Sequence, residues 1–189
     1  MKNLKTIAIA LLVAFGTANV SAQTQKIDAN KSKLTWVGKK VTGQHDGTVA
    51  LQSGNLIFKD SKLTGGTFTV NMKSISVADL KAGEGKEKLE GHLKDDDFFG
   101  VEKYPTALLV FKTVTLKSAG VYAANADLTI KGITKPVTLD ITVKENTATS
   151  KFRVDRTKYD IKYGSGSFFD NLGDKAISDD FEVSAMIAY

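Results

Sequence analysis

Apolar and polar residues alternate with a period of two through most of this chain, and few architectures tolerate that pattern. Leu34, Trp36 and Gly38 interleave with Lys33, Thr35 and Val37, and Phe68, Val70 and Met72 with Thr67, Thr69 and Asn71. Near the C-terminus Ile177, Phe181, Val183, Ala185 and Ile187 share one parity, while Asp180, Glu182 and Ser184 take the other. One dry face and one wet face, repeated over many short segments, describe an antiparallel sheet. The Thr, Val, Ile and aromatic residues that fill these segments suit a pleated, half-buried surface.

Strands are expected near 33–41, 47–52, 54–60, 66–73, 107–117, 121–131, 136–144, 148–155 and 177–189. Turn chemistry separates them at Asp46-Gly47, Ser53-Gly54, Gly65-Gly66, Ala119-Gly120 and Lys131-Gly132. Pro105 and Pro136 fall at strand starts, where a missing N–H costs least. Roughly eight or nine short antiparallel strands without an interrupting linker make one domain, either a sandwich or an up-and-down barrel. Periodicity leaves these two equally open. In the barrel, the last strand pairs with the first and removes the exposed edges.

The first residues read as an address. Lys2 and Lys5 precede an apolar run from Ile7 to Phe15, and Val20-Ser21-Ala22 supplies a small-residue cleavage site. That run is too short for a bilayer, which needs about 20 residues. Residues 1–22 are therefore expected to be a signal peptide and 23–189 one domain, exported to the periplasm or secreted. The formal charge of +5 includes Lys2 and Lys5. The remainder is too mildly basic for nucleic-acid binding, although contact with a membrane surface stays open. The chain has no Cys, so disulfides, Cys-type zinc sites and a thioether lipid anchor are excluded.

The stretch from Met72 to Ala107 breaks the alternation. It has helical and turn character, with Leu89 and Leu93 at i,i+4 spacing and a Gly83-Glu84-Gly85 hinge. So long a connection serves as a lid or as a plug for one barrel end. Candidate chemistry is sparse. His45, before Asp46-Gly47, reads as a turn residue, and His92 as a side chain orienting the 91–105 loop through backbone hydrogen bonds. Asp95-Asp96-Asp97 lacks the spacing of a calcium loop and reads better as a helix N-cap ahead of Phe98 and Phe99. Gly164-Ser165-Gly166-Ser167 does not match a nucleophile elbow. No catalytic or metal site is expected.

Two runs resemble the signatures of the YceI-like family. Leu89 to Pro105 (LEGHLKDDDFFGVEKYP) is similar to its His-Leu, Asp-Phe-Phe and Tyr-Pro signature. Asp127 to Val137 (DLTIKGITKPV) is similar to its Leu-Thr, Gly, Thr-Lys-Pro-Val hairpin. Ser32 to Trp36, Phe152 to Arg156 and Gly173-Asp174 extend the resemblance over nearly the whole chain after the signal peptide. Departures occur at Gly38-Lys39-Lys40, at Ala126, and at Ser165 to Asn171. The resemblance implies an all-β, lipocalin-like closed antiparallel barrel of about eight strands with a helical or loop cap. It also implies a non-enzymatic, exported carrier or store for a polyprenyl chain or isoprenoid quinone, in a family whose members are often homodimeric. The competing reading is a ligand-free, stress-related secreted adaptor acting through its outer surface.

With that barrel assumed, inward parity makes Trp36, Phe58, Phe68, Val70, Phe98, Phe99, Phe111, Leu128, Ile130, Leu139, Ile141, Phe152, Phe168, Phe169 and Phe181 the expected cavity lining. Ten Phe in the chain suit an apolar pocket, in which each buried CH₂ contributes about 0.8 kcal/mol without any directional contact.

Overall fold

The computed structural model describes residues 21–189; the expected signal peptide up to Val20 lies outside the described residues. In chain order the elements are β1 (Gln23–Lys26), β2 (Asp28–Lys40), β3 (Gly43–Lys59), β4 (Lys62–Val77), α1 (Lys86–Lys94), β5 (Thr106–Ser118), β6 (Val121–Ile130), β7 (Ile133–Lys144), β8 (Thr147–Asp155) and β9 (Ile177–Ala188). Short 3₁₀ turns at Arg156–Tyr159 and Gly173–Lys175 lie between β8 and β9.

Pairing along the chain settles the choice between sandwich and barrel. All neighbours are antiparallel, in the order β2-β9-β8-β7-β6-β5-β4-β3, and β3 pairs back onto β2. The closing seam sets Lys33–Gly38 of β2 against Met186–Phe181 of β9. Eight strands therefore close on themselves, and closure leaves no whole strand as an edge. β1 lies along Asn55–Phe58 of β3 and continues the line of β2.

Up-and-down order gives the barrel two different ends. The β3–β4, β5–β6 and β7–β8 turns gather at one, beside the C-terminal Tyr189 (the turn end). The short β2–β3 and β6–β7 turns share the other with the long segments 78–105 and 156–176 (the cap end).

Several expected turns are not turns. Asp46-Gly47 and Ser53-Gly54 both lie within β3, so the segments expected at 47–52 and 54–60 are one strand. Its glycines serve close approach. A Cβ on Gly47 would stand 2.6 Å from the indole of Trp36, its cross-strand partner, and one on Gly54 would stand 2.7 Å from the Thr67 carbonyl at a register shift. Gly65-Gly66 is likewise inside β4, and the true turn is Asp60-Ser61, with φ of 50° and 59°. Lys131-Gly132 (φ 50° and 73°) and Ala119-Gly120 turn the chain as expected. Pro136 sits inside β7 opposite Asp127. Counting alternate pairs from the two-residue turn at Ile130/Ile133 makes this a non-hydrogen-bonded pair, so the missing N–H breaks no bond to β6. On its other side β7 joins β8 only from Ile141 onward.

Inward parity fills the barrel from both ends. On β6, Tyr122, Ala124, Ala126, Leu128 and Ile130 are buried at every second position. One cluster, with Leu56, Phe58, Leu63, Phe68, Tyr122 and Ile141, packs the turn end. A second, with Ile75, Val77, Leu93, Phe98, Val101, Tyr159 and Ile161, packs the cap end.

Candidate functional site: an apolar cavity and its cap

Between the two clusters the barrel interior is not filled. A cavity of about 190 Å³ remains, walled by inward residues of β2 through β9 and roofed by Leu93, Phe98 and Phe99. Along β9 its lining runs from Ile177 through Phe181, Val183 and Ala185 to Ile187. At about 3.3 Å per residue that is roughly 33 Å of strand, so the cavity is long rather than round. Gly38 faces it across the seam from Phe181, and Trp36 and Phe152 wall it on either side of β9.

Of the expected lining, Trp36, Phe68, Val70, Phe98, Phe99, Phe111, Leu128, Ile130, Leu139, Ile141, Phe152 and Phe181 border this cavity. Three residues do not. Phe58 is buried beneath it at the turn end, 5.4 Å from the Tyr189 ring, because Leu56 holds the inward position nearer the middle of β3. Phe168 and Phe169 stand outside, 50% and 51% exposed, on a loop where no strand parity governs orientation. Leu34, Leu51, Leu109, Val183 and Ile187 also line the cavity. Parity marks them as inward, but only closure brings them around one space.

The cap is one short helix followed by a tight loop. Gly85 opens α1 with a left-handed φ of 98°, and Asp95 ends it. The acidic run is thus a C-terminal cap and not the expected N-cap. Helix sense reverses the reading: apolar Leu93 and Leu89 precede the acids, and the chain turns back at Gly100 (φ 54°) to bury Phe98 and Val101. The Glu90 carboxylate accepts from the Ser76 hydroxyl (2.7 Å) and the Val77 N–H (2.8 Å), tying α1 to the end of β4. Those bonds hold the Glu90 carboxyl below the usual range despite its partial burial. Asp79 accepts from the Asp46 N–H (3.1 Å) and meets His45 Nδ1 at 2.8 Å. Burial raises the Asp79 pKa, but the bonds from His45 and Asp46 outweigh it and leave the group lowered. His45, expected in a turn, is therefore a strand residue that anchors the start of the cap segment.

Across the roof, contacts change from ionic to aromatic. His92 lies edge-on to Phe98 (5.0 Å) and Tyr163 (4.4 Å), and its Nε2 meets Asp97 Oδ2 at 3.1 Å. Its contacts are with side chains, where hydrogen bonds to the loop backbone were expected. Phe99 lies 6.2 Å from Phe181, at right angles to it.

Sequence reasoning missed Arg156, among the described residues the one buried cation on the cavity wall. Its guanidinium donates to the carbonyls of Ser178 (2.9 Å), Ile161 (2.8 Å) and Ile177 (3.0 Å), faces Asp179 at 3.8 Å, and lies 5.9 Å from the Phe98 ring centroid. Burial pushes its pKa down, and Asp179 and Asp155 oppose that shift. Its signal was rarity: Arg153 and Arg156 are the only arginines among many lysines. Tyr159 is buried in the same 3₁₀ turn, its hydroxyl without a partner among the described residues and its pKa pushed up to about 12 by burial. Among the described residues, no three His, Asp or Glu side chains converge as metal ligands.

The fold recurs in solved structures. BcnA of Burkholderia cenocepacia superposes with a TM-score of 0.68 at 20% identity, covering 86% of this chain and 99% of that one. A polyisoprenoid binding domain from Saccharophagus degradans, implicated in plant cell wall breakdown, gives 0.60 at 15% identity over 89% and 97% of the two chains. The Campylobacter jejuni YCEI protein gives 0.53 at 15% identity over 100% and 90%. Among curated sequences, a UPF0312 protein of Shewanella denitrificans is 35% identical over 86 residues, 46% of this chain and 42% of its own length. One from Pseudomonas putida is 34% identical over 98 residues, 51% of this chain and 47% of its own. The chain thus spans less than half the length of the curated relatives it matches. A family model covers almost everything the structure describes, residues 25–189, and by that match the chain belongs to the YceI-like domain family.

Proposed function

We propose that this protein carries or stores a long isoprenoid lipid, a polyprenyl chain or isoprenoid quinone, in its barrel, and that it catalyses nothing. The observation that carries this reading is the elongated cavity walled by Trp36, Phe68, Phe111, Phe152 and Phe181. Such a wall reads girth and length and offers few directional bonds, which suits a repeating hydrocarbon. A polar head belongs at the cap end, beside Arg156. Three of the five guanidinium N–H donors serve carbonyls and Nη2 also faces Asp179 at 3.8 Å, so it is the second N–H of Nη1 that would meet a carbonyl or phosphate oxygen of the head. The Saccharophagus degradans domain of the same fold, described as polyisoprenoid binding, supports the choice of ligand class.

Export to the periplasm belongs to the same reading and rests on the apolar run Ile7–Phe15 between Lys5 and Val20-Ser21-Ala22. A homodimer is one assembly that this reading allows. Organic extraction of the protein purified from a bacterial envelope, followed by mass spectrometry, tests the proposal. One isoprenoid per barrel is expected, lost in Phe98→Ser/Phe99→Ser with the fold retained by circular dichroism. A protein that elutes lipid-free and takes up no isoprenoid quinone from detergent overturns it, and returns attention to the outer surface.

A further inference from the structure

Eight large hydrophobic side chains are notably exposed on the described surface, and four of them cluster. Val41 (67%), Tyr163 (46%), Phe168 and Phe169 all lie at the cap end, where the Val41 N–H donates to the Ala176 carbonyl and joins the β2–β3 turn to the 160–176 loop. The two phenylalanines are not on a loose tip. Both of their N–H groups donate to the carbonyl of Ser165 (3.1 and 3.0 Å), a fully buried residue whose hydroxyl accepts from the Ser167 N–H. Ser167 Oγ in turn donates to Asp179. The fold holds two adjacent rings outward, against the hydrophobic effect.

We infer that this aromatic knuckle docks the cap end onto the head-group layer of a phosphatidylethanolamine-rich bilayer, with Phe168 and Phe169 inserted. The amphipathic Tyr163 ring suits that layer, and the two phenyl rings supply apolar area to bury beneath it. The charge beside these rings is mixed: Lys162, next to the Phe168 ring, is paired with Asp160 at 2.8 Å, Lys175 shares a surface hollow with Tyr163 and Phe169, and Asp170 directly follows Phe169 in the chain. Charge of both signs complements a lipid that carries an ammonium and a phosphate, and does not call for an anionic surface. Lys162 Nζ already lies 5.2 Å from the Phe168 ring, a pairing that can tilt toward phosphate as the ring inserts. The patch is also continuous with the cavity roof, since Tyr163 lies 5.7 Å from Phe98 and Gly164 accepts from the N–H of the lining residue Ile177. Docked there, the roof faces the phase in which a water-insoluble chain dissolves. That purpose rests on the cargo reading above; the docking itself does not.

Flotation with phosphatidylethanolamine/phosphatidylcholine vesicles tests it. Removing two half-exposed rings in Phe168→Ser/Phe169→Ser is expected to weaken partitioning about 30-fold with an unchanged melting temperature. Adding phosphatidylglycerol or raising salt is expected to change binding by no more than about 2-fold. Three results overturn the docking: wild-type protein that does not float, a double variant that floats as well as wild type, or a concentration-dependent dimer abolished by the double variant, which assigns the patch to a second copy. Extraction in parallel keeps the two proposals apart. Retained cargo in a non-floating double variant supports docking, whereas an empty wild type that still floats removes the cargo and leaves the membrane contact.

Discussion

The two ends of the barrel solve opposite problems with the same strands. At the turn end, two-residue connections at Asp60-Ser61, Ala119-Gly120 and Glu145-Asn146 let side chains such as Phe58, Leu63 and Tyr122 pack together below the cavity. At the cap end, the segments 78–105 and 156–176 replace tight turns, and the roof rests on polar ties and ring edges above an open cavity. Val77, Val101, Tyr159 and Ile161 are as fully buried at the cap end as Leu63 and Tyr122 are at the turn end, so the difference lies in the joints: ionic and aromatic-edge contacts can yield one at a time where a two-residue turn does not.

If that contrast holds, the largest single loss comes from Arg156, the one buried charge at the cap end among the described residues. Arg156→Met strands three carbonyls and Asp179, and is expected to cost about 3–5 kcal/mol in urea denaturation, with early loss of order in 156–176. A cost near zero would mean that the cap end does not hang on it. Next comes a matched pair of truncations. Leu63→Ala, 2% exposed at the turn end and away from the cavity lining, is expected to cost about 3 kcal/mol, and Val183→Ala, beside the existing cavity, about 1 kcal/mol. Equal losses by calorimetry would erase the distinction between the ends.

Glu90 sharpens the comparison through pH. Its folded pKa is lowered by the Val77 N–H and the Ser76 hydroxyl, so its contribution is whole above the ordinary glutamate range. It is lost as the pH falls from about 4.3 through the lowered folded value. Hydrogen exchange should therefore report α1 loosening on acidification before the turn end does, and Glu90→Gln should abolish that pH dependence at a cost of about 1 kcal/mol at neutral pH. The smallest effect has the opposite sign. Tyr159→Phe removes a buried hydroxyl without a protein partner and is expected to stabilise by about 1 kcal/mol, seen as a raised melting temperature.

Much of the wall was readable before folding, and the reasons are local. Strand parity placed Trp36, Phe68, Leu128, Leu139 and Phe181 inward because successive side chains must point to opposite faces. The same rule misjudged glycines, since a glycine that admits a neighbouring ring inside a strand looks in sequence like one that turns the chain. Gly47 under Trp36 and Gly66 beside Phe111 were both hidden in this way. Phe168 and Phe169 were misplaced for a different reason: outside regular structure, hydrophobicity carries no direction. Arg156 could not be found at all by a search for apolar lining, because what keeps a cation buried is a set of carbonyls brought from Ile161, Ile177 and Ser178.

By itself the sequence determined an antiparallel sheet with one dry face, the inward parity of each strand, and a capping segment between β4 and β5. All of these depend on neighbours a few residues away. Only the tertiary structure decided that β9 returns to β2, that closure leaves a long cavity and not a solid core, and that the cap is tied on one side and ring-sealed on the other. Those outcomes depend on contacts between residues far apart in the chain, whose cost in chain entropy no local pattern records.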